Sequence, residues 1–151
     1  MGSILVVNGV LLTPLRIIST PGGDVLHAMR RDEAEHFGFG EAYFSKLQPG
    51  FIKGWKRHRK MQLNLIVPVG TIKFVIYDDR AESSTRGKYF SVTLSEGNYQ
   101  RLTVPPMVWL AFQGVHTTES MLLNIASIPH DPKEVDKCGI DQIKFDWEVL
   151  R

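Results

Sequence analysis

Apolar and polar residues alternate along most of this chain in short runs, bounded by glycine, proline, asparagine or serine. A period of two places successive side chains on opposite faces of an extended strand, so such runs predict half-buried β-strands. They fall at residues 41–46, 63–67, 71–79, 89–94, 100–104, 108–112 and 121–126. The apolar opening, residues 4–7 and 10–12, suits an edge strand packed on a partner subunit. Turn signals stand at Pro21-Gly22-Gly23, Gln48-Pro49-Gly50, Pro68 to Gly70 and residues 95–98. Only residues 24–40 read as helical, with Asp32 capping a short turn through Glu35 and Gly38 ending it. Residues 80–88 are polar and read as a mobile loop. About eight to ten short strands with one short helix predict an all-β antiparallel sandwich or barrel.

Residues 51–80, FIKGWKRHRKMQLNLIVPVGTIKFVIYDDR, carry the most unusual pattern. Lys53, Lys56, Arg57, His58, Arg59 and Lys60 crowd its start. The run LNLIV, a turn ending at Gly70 and the run TIKFVIYDD predict a β-hairpin. Alternation puts Lys56 and His58 on one face of the first strand, with Trp55, Arg57 and Arg59 on the other. One set must point into the interior of a barrel. Cations there are costly unless they meet an anion or line a wet pocket. Gln62 and Asn64 continue the Lys56 and His58 face as polar positions, while Leu63, Leu65 and Val67 fill the other. That is the pattern of a pocket wall backed by a sheet.

Composition narrows what such a pocket could hold. The 151 residues suit one domain, spanning 1–151, with the 43% hydrophobic and 23% charged content of a soluble globular protein. A net charge of +2 is too small to imply nucleic acid, and alternation splits WKRHRK between two faces, so no nucleic-acid partner is expected. Edge strands also carry Lys and Arg against aggregation, but the polar positions at Gln62 and Asn64 favour a pocket over a solvated edge. The single Cys138 excludes an internal disulfide and a cysteine zinc site. The apolar opening is too short to span a bilayer and lacks a basic start, which predicts a cytoplasmic protein with no membrane partner. A metal-binding strand of a β-barrel would need a second histidine where Lys56 stands, and a protonated lysine repels a cation. His27, His36, His116 and His130 are scattered without ligand spacing and read as surface or packing residues. No metal and no other cofactor is expected. An anionic small molecule remains: converging cations suit a diphosphate, a histidine suits proton abstraction, and Tyr43, Tyr77 and Trp109 can stack on a base or sugar.

The segments GDVLHAMRRDE, EAYFSKLQPGFIKGWKRHRK, VGTIKFVIYDDR, LSEGNYQRLTVPP and a final DW follow one another from about residue 23 to residue 147. In that order they resemble the dTDP-4-dehydrorhamnose 3,5-epimerase family. KRHRK, VPPMVW and LLNIAS are also similar to the dTDP-4-oxo-sugar 3,4-ketoisomerases. The resemblance implies an RmlC-like cupin jelly roll, a homodimer, and a nucleotide-linked 4-keto-6-deoxy sugar, first of all a dTDP-sugar, handled without a metal. It implies a base that removes a proton beside the C4 ketone and an acid that returns one to the opposite face. His58 falls where the ketoisomerases carry a histidine and is expected to be the base. Lys56 is expected to hold the enolate or keep His58 neutral. Lys53 stands for an arginine that contacts the diphosphate. Arg59, Lys60, Asn64, Tyr77, Trp109 and Asn124 complete the expected substrate-binding set. Three family positions differ. Asn124 replaces the epimerases' tyrosine, Leu110 replaces a histidine, and their histidine-orienting carboxylate is expected beyond this chain's last residue. Tyr43 and Tyr77 are the phenols that could stand in for the tyrosine.

Overall fold

Alternation closes the chain into two antiparallel sheets, in a computed structural model that describes residues 7–33 and 38–150. In chain order the strands are β1 (Leu11–Pro14), β2 (Ile17–Ile18), β3 (Val25–Leu26), β4 (Glu41–Leu47), β5 (Ile52–His58) and β6 (Leu63–Val69). They continue as β7 (Thr71–Tyr77), β8 (Tyr89–Ser95), β9 (Gln100–Val104), β10 (Trp109–Gly114), β11 (Ser120–Ala126) and β12 (Val135–Lys137). One sheet has the order β1-β9-β6-β11-β4, the other β12-β5-β10-β7-β8, and β2 pairs only with β3. This is the expected all-β jelly roll. Among the described residues the only helical turns are two short 3₁₀ turns, Pro132–Glu134 and Ile140–Gln142. No helix among them is long and apolar enough to cross a membrane.

The main core lies between the sheets. Leu63, Leu65 and Val67 of β6, with Leu102, Val104 and Leu122, meet Ile72, Phe74 and Ile76 of β7, with Leu94 and Leu110. Each such side chain contributes about 1.5–3 kcal/mol on leaving water. A second cluster, Trp55, Val75, Trp109 and Ala111 with Ile143, covers the outer face of β5, β7 and β10. The C-terminal residues Phe145 and Trp147 pack over it.

Two expectations fail here for physical reasons. β6 and β7 do not form a hairpin: β6 pairs with β9 and β11, whereas β7 pairs with β8 and β10. Gly70 alone separates them, and a hairpin loop needs two residues, so the connection is a corner between sheets. Gly70 takes φ +81°, and a Cβ there would lie 2.2 Å from the Ser120 hydroxyl. The helix expected over residues 24–40 begins as a strand instead, with Val25 and Leu26 paired to Ile18 and Ile17. The carbonyls of His27 and Ala28 accept from the Tyr99 hydroxyl and the Arg101 guanidinium, so they are spent outside any helix. Residues 34–37, with Glu35 and His36, lie outside the described residues, as do residues 4–6 of the expected first strand.

The loop at residues 80–88 is tied down rather than mobile. The fully buried Asp78 carboxylate accepts from the Arg80 backbone and guanidinium, the Ser83 hydroxyl and the Thr85 hydroxyl. The Asn8 amide donates to Ser84 at 2.6 Å. Burial alone would raise the Asp78 pKa, but the hydrogen bonds from Arg80, Ser83 and Thr85 outweigh it and hold the carboxyl well below the usual range. A depressed folded-state value contributes stability that is full above the unfolded value of about 4 and lost as pH falls through the folded one. Asp78→Ala should therefore cost roughly 3 kcal/mol at neutral pH, and urea melts at pH 7 and pH 3 should show the variant's deficit shrinking in acid. An equal deficit at both pH values would rule out the ionised carboxylate as its source.

Candidate active site

A cavity of about 260 Å³ opens between the sheets at the end where β4, β5, β11 and β12 meet. β5 supplies Lys53, Lys56 and His58 to one wall, and β12 adds Val135 and Lys137. Strict alternation would not put Lys53 and Lys56 on one face. A bulge does: Leu110 and Phe112, two apart on β10, pair with Lys56 and Lys53, three apart on β5. Gly54 sits in that bulge with φ +148°, where a Cβ would strike Ala111 at 2.3 Å. The facing wall comes from the other sheet, with Tyr43 and Ser45 of β4, Leu63 and Leu65 of β6, and Leu122 and Asn124 of β11.

Among the polar groups lining the cavity, His58 is bonded to a buried carboxylate. Its Nδ1 is hydrogen-bonded to the Glu134 carboxylate, which is 4% exposed. The second Glu134 oxygen accepts from the backbone N–H of Lys60 at 3.1 Å and of Met61 at 3.2 Å. Burial would push the Glu134 carboxyl up, but the bonds from His58, Lys60 and Met61 outweigh it and hold it below the usual carboxylate range. An ionised carboxylate only accepts, so Nδ1 is the donor, and in the neutral imidazole Nε2 is then the nitrogen with the lone pair. That is the arrangement of a general base with an orienting carboxylate.

The cations around it are spread along the mouth. Among the described residues no ion pair neutralises Lys53, Lys56 or Lys137; Lys53 donates to the Lys46 carbonyl at 3.1 Å. Burial, then the charges of Lys137 and Lys53, lower the Lys56 pKa. Ammonium groups without an ion pair gathered on one cavity are suited to a polyanion. Among the described residues no three His, Cys, Asp or Glu side chains gather where they could hold a metal ion.

A model of the family described as dTDP-4-dehydrorhamnose 3,5-epimerase matches residues 6–150. The chain belongs to that family. It is 29% identical over 142 residues to a protein of Haloferax volcanii described as a probable low-salt glycan biosynthesis epimerase, covering 93% of this chain and 89% of that one. It is 27% identical over 147 residues to a spore coat polysaccharide biosynthesis protein of Bacillus subtilis, covering 95% and 97%. A solved dTDP sugar isomerase from Desulfovibrio desulfuricans G20 is 40% identical, superimposes with TM-score 0.93 and is matched over 96% of this chain and 94% of its own. The jelly roll is thus of the RmlC-like cupin type.

Of the residues expected in the site, Lys53, Lys56, His58 and Asn124 line the cavity, and so does Tyr43. The other five do not. Arg59 lies beyond the end of β5 and pairs with Asp136 outside the cavity. Lys60 is exposed and takes part only through its backbone N–H to Glu134. Asn64 is on the wrong face of β6: Leu63 and Leu65 point inward, and Asn64 instead accepts from the Thr103 hydroxyl at 2.7 Å. Trp109 packs in the outer cluster, its indole N–H donating to Asp79 at 3.0 Å and its ring 4.6 Å from the Arg57 guanidinium. Tyr77, its partner across β7 and β10, stacks on Tyr89 at 4.6 Å.

Sequence reasoning missed Glu134, Lys137 and the rim position of His130. The carboxylate that meets His58 is Glu134, 76 residues away in sequence. A local signal existed in DPKEVDK. Asp131 caps the 3₁₀ turn by accepting from the Lys133 N–H at 2.9 Å, Pro132 opens the turn, and the alternating residues 135–137 then pair with β5.

Proposed function

We propose that this protein is a cytoplasmic nucleotide-sugar epimerase that removes a proton next to the C4 ketone of a 4-keto-6-deoxy sugar nucleotide in surface-polysaccharide synthesis. The observation that carries the reading is His58 held by the buried Glu134 inside a cavity whose mouth carries uncompensated lysines. His58 Nε2 takes the proton, and the Glu134 carboxylate stabilises the imidazolium that forms. Lys56 faces the developing enolate oxygen, while Lys53 and Lys137 meet the diphosphate. Membership of the epimerase family supports the reaction, and the relatives described as glycan and polysaccharide proteins support the setting. A dTDP-sugar is the substrate to try first. Assembly as a homodimer is supported by exposed Phe44 on the outer face of β4, with Phe39 exposed nearby.

The test is solvent exchange followed by NMR. Purified protein in D₂O with dTDP-4-keto-6-deoxyglucose should incorporate deuterium at C3, C5 or both, with inversion there. The strand carrying Lys56 and His58 also suits a 3,4-ketoisomerase, and a ketone moved to C3 would replace the epimerase reading with that one. A thermal shift with the nucleotide but no exchange would instead show a non-catalytic binding protein.

A further inference from the structure

We propose that Tyr43 is the acid that returns the proton, so that inversion takes place between two walls contributed by different sheets. The inference rests on the epimerase reading and names the group that reading leaves open.

Tyr43 lies on β4 directly across from Asn124 on β11, and both line the cavity. Their sheet faces the one that carries His58 on β5. A substrate ring held between the walls therefore shows one face to His58 and the other to Tyr43. The remaining tyrosines are committed elsewhere. The Tyr99 hydroxyl donates to His27, the Tyr89 hydroxyl donates to Lys144, and Tyr77 packs in the outer cluster. Lys56 cannot take the role, since it shares a strand and a wall with His58.

Asn124 prepares the phenol for proton donation. Its Nδ2 donates to the Tyr43 oxygen at 2.8 Å, which leaves the phenol's own O–H unspent and steadies the phenolate that remains after transfer. Asn124 is itself buried, and its Oδ1 has no hydrogen-bond partner among the described residues. Tyr43 is 43% exposed, so its proton is replaced from solvent. The step balances. The C–H bond beside the ketone breaks, its proton goes to His58 Nε2, and its electron pair becomes the enolate. The enolate carbon then takes the Tyr43 proton on the opposite face, the ketone reforms, His58 releases its proton to water, and the phenolate regains one.

The experiment is Tyr43→Phe with dTDP-4-keto-6-deoxyglucose in D₂O, followed by NMR, with a thermal melt as the folding control. The variant should still take up solvent deuterium into the substrate within about tenfold of the native rate, because His58 removes a proton and returns a deuteron on its own face. Inverted product should fall at least about 100-fold. Asn124→Asp, which supplies an acceptor in place of the donor and draws the phenol O–H away, should reproduce the loss of inversion with exchange retained. Inversion at the native rate in Tyr43→Phe would overturn the proposal. So would a folded variant that loses exchange as completely as inversion, since the hydroxyl would then act before protonation. Native protein that shows neither exchange nor inversion would refute the epimerase reading itself, and the assignment of Tyr43 with it.

Discussion

His58→Asn should lower proton exchange beside the substrate ketone by about 10³-fold while the protein stays folded. Asparagine keeps a short amide that can donate to Glu134, so the buried carboxylate is not stranded, but it offers no basic nitrogen to the cavity. Glu134→Gln is the companion. It leaves the imidazole in place but removes the charge that fixes its tautomer and stabilises the imidazolium. A loss of about 100-fold, falling on kcat with KM little changed, is the expected result. The check is the deuterium wash-in rate by NMR beside a circular dichroism spectrum. Exchange at the native rate in His58→Asn would remove His58 from the base role and leave Lys56, whose pKa is lowered by burial and by its lysine neighbours, as the group to test next.

Trp109→Ala should be the most destabilising of the substitutions considered, by about 3–5 kcal/mol. The ring is 8% exposed and packs with Trp55, Val75 and Ala111 outside the second sheet. Truncation also removes the donor to Asp79 and the aromatic face beneath Arg57. For a chain of this length the loss corresponds to a drop of roughly 10 °C in melting temperature, measurable by calorimetry. A native melting point would mean that the indole is not a core residue but is available to ligand. Because Trp109 pairs with Arg57 on β5, the variant should also loosen the strand that carries His58, and its activity should fall more steeply with temperature than that of the native protein.

Much of the architecture was legible because alternation reports directly on extended backbone. The runs at β4, β8, β9 and β11 match the strands within a residue or so, and the separation of Lys56 and His58 from Trp55 and Arg57 followed from the pleat alone. The pleat does not say which face is inside when both are buried. β6 is enclosed on both sides, so Asn64 looked like a pocket residue until Thr103, on another strand, was seen to satisfy it. It does not say which strands are neighbours either. β6 and β7 adjoin in sequence, yet a one-residue corner sends them to opposite sheets. The same limit hid Glu134, whose contact with His58 exists only because β12 returns to pair with β5.

By itself, then, the sequence determined the all-β class, the strand faces, the cationic strand with its single well-placed histidine and, through its resemblance, the family. These are local or pattern-borne properties, set by side-chain period, turn chemistry and residue type within a few positions of one another. Only the tertiary structure decided that Glu134 meets His58, that the Gly54 bulge brings Lys53 to the same wall as Lys56, and that Tyr43 and Asn124 line the cavity from the other sheet. Each of these depends on which distant strands pair and in what register, and that choice is made by the packing of the whole core rather than by any segment of it.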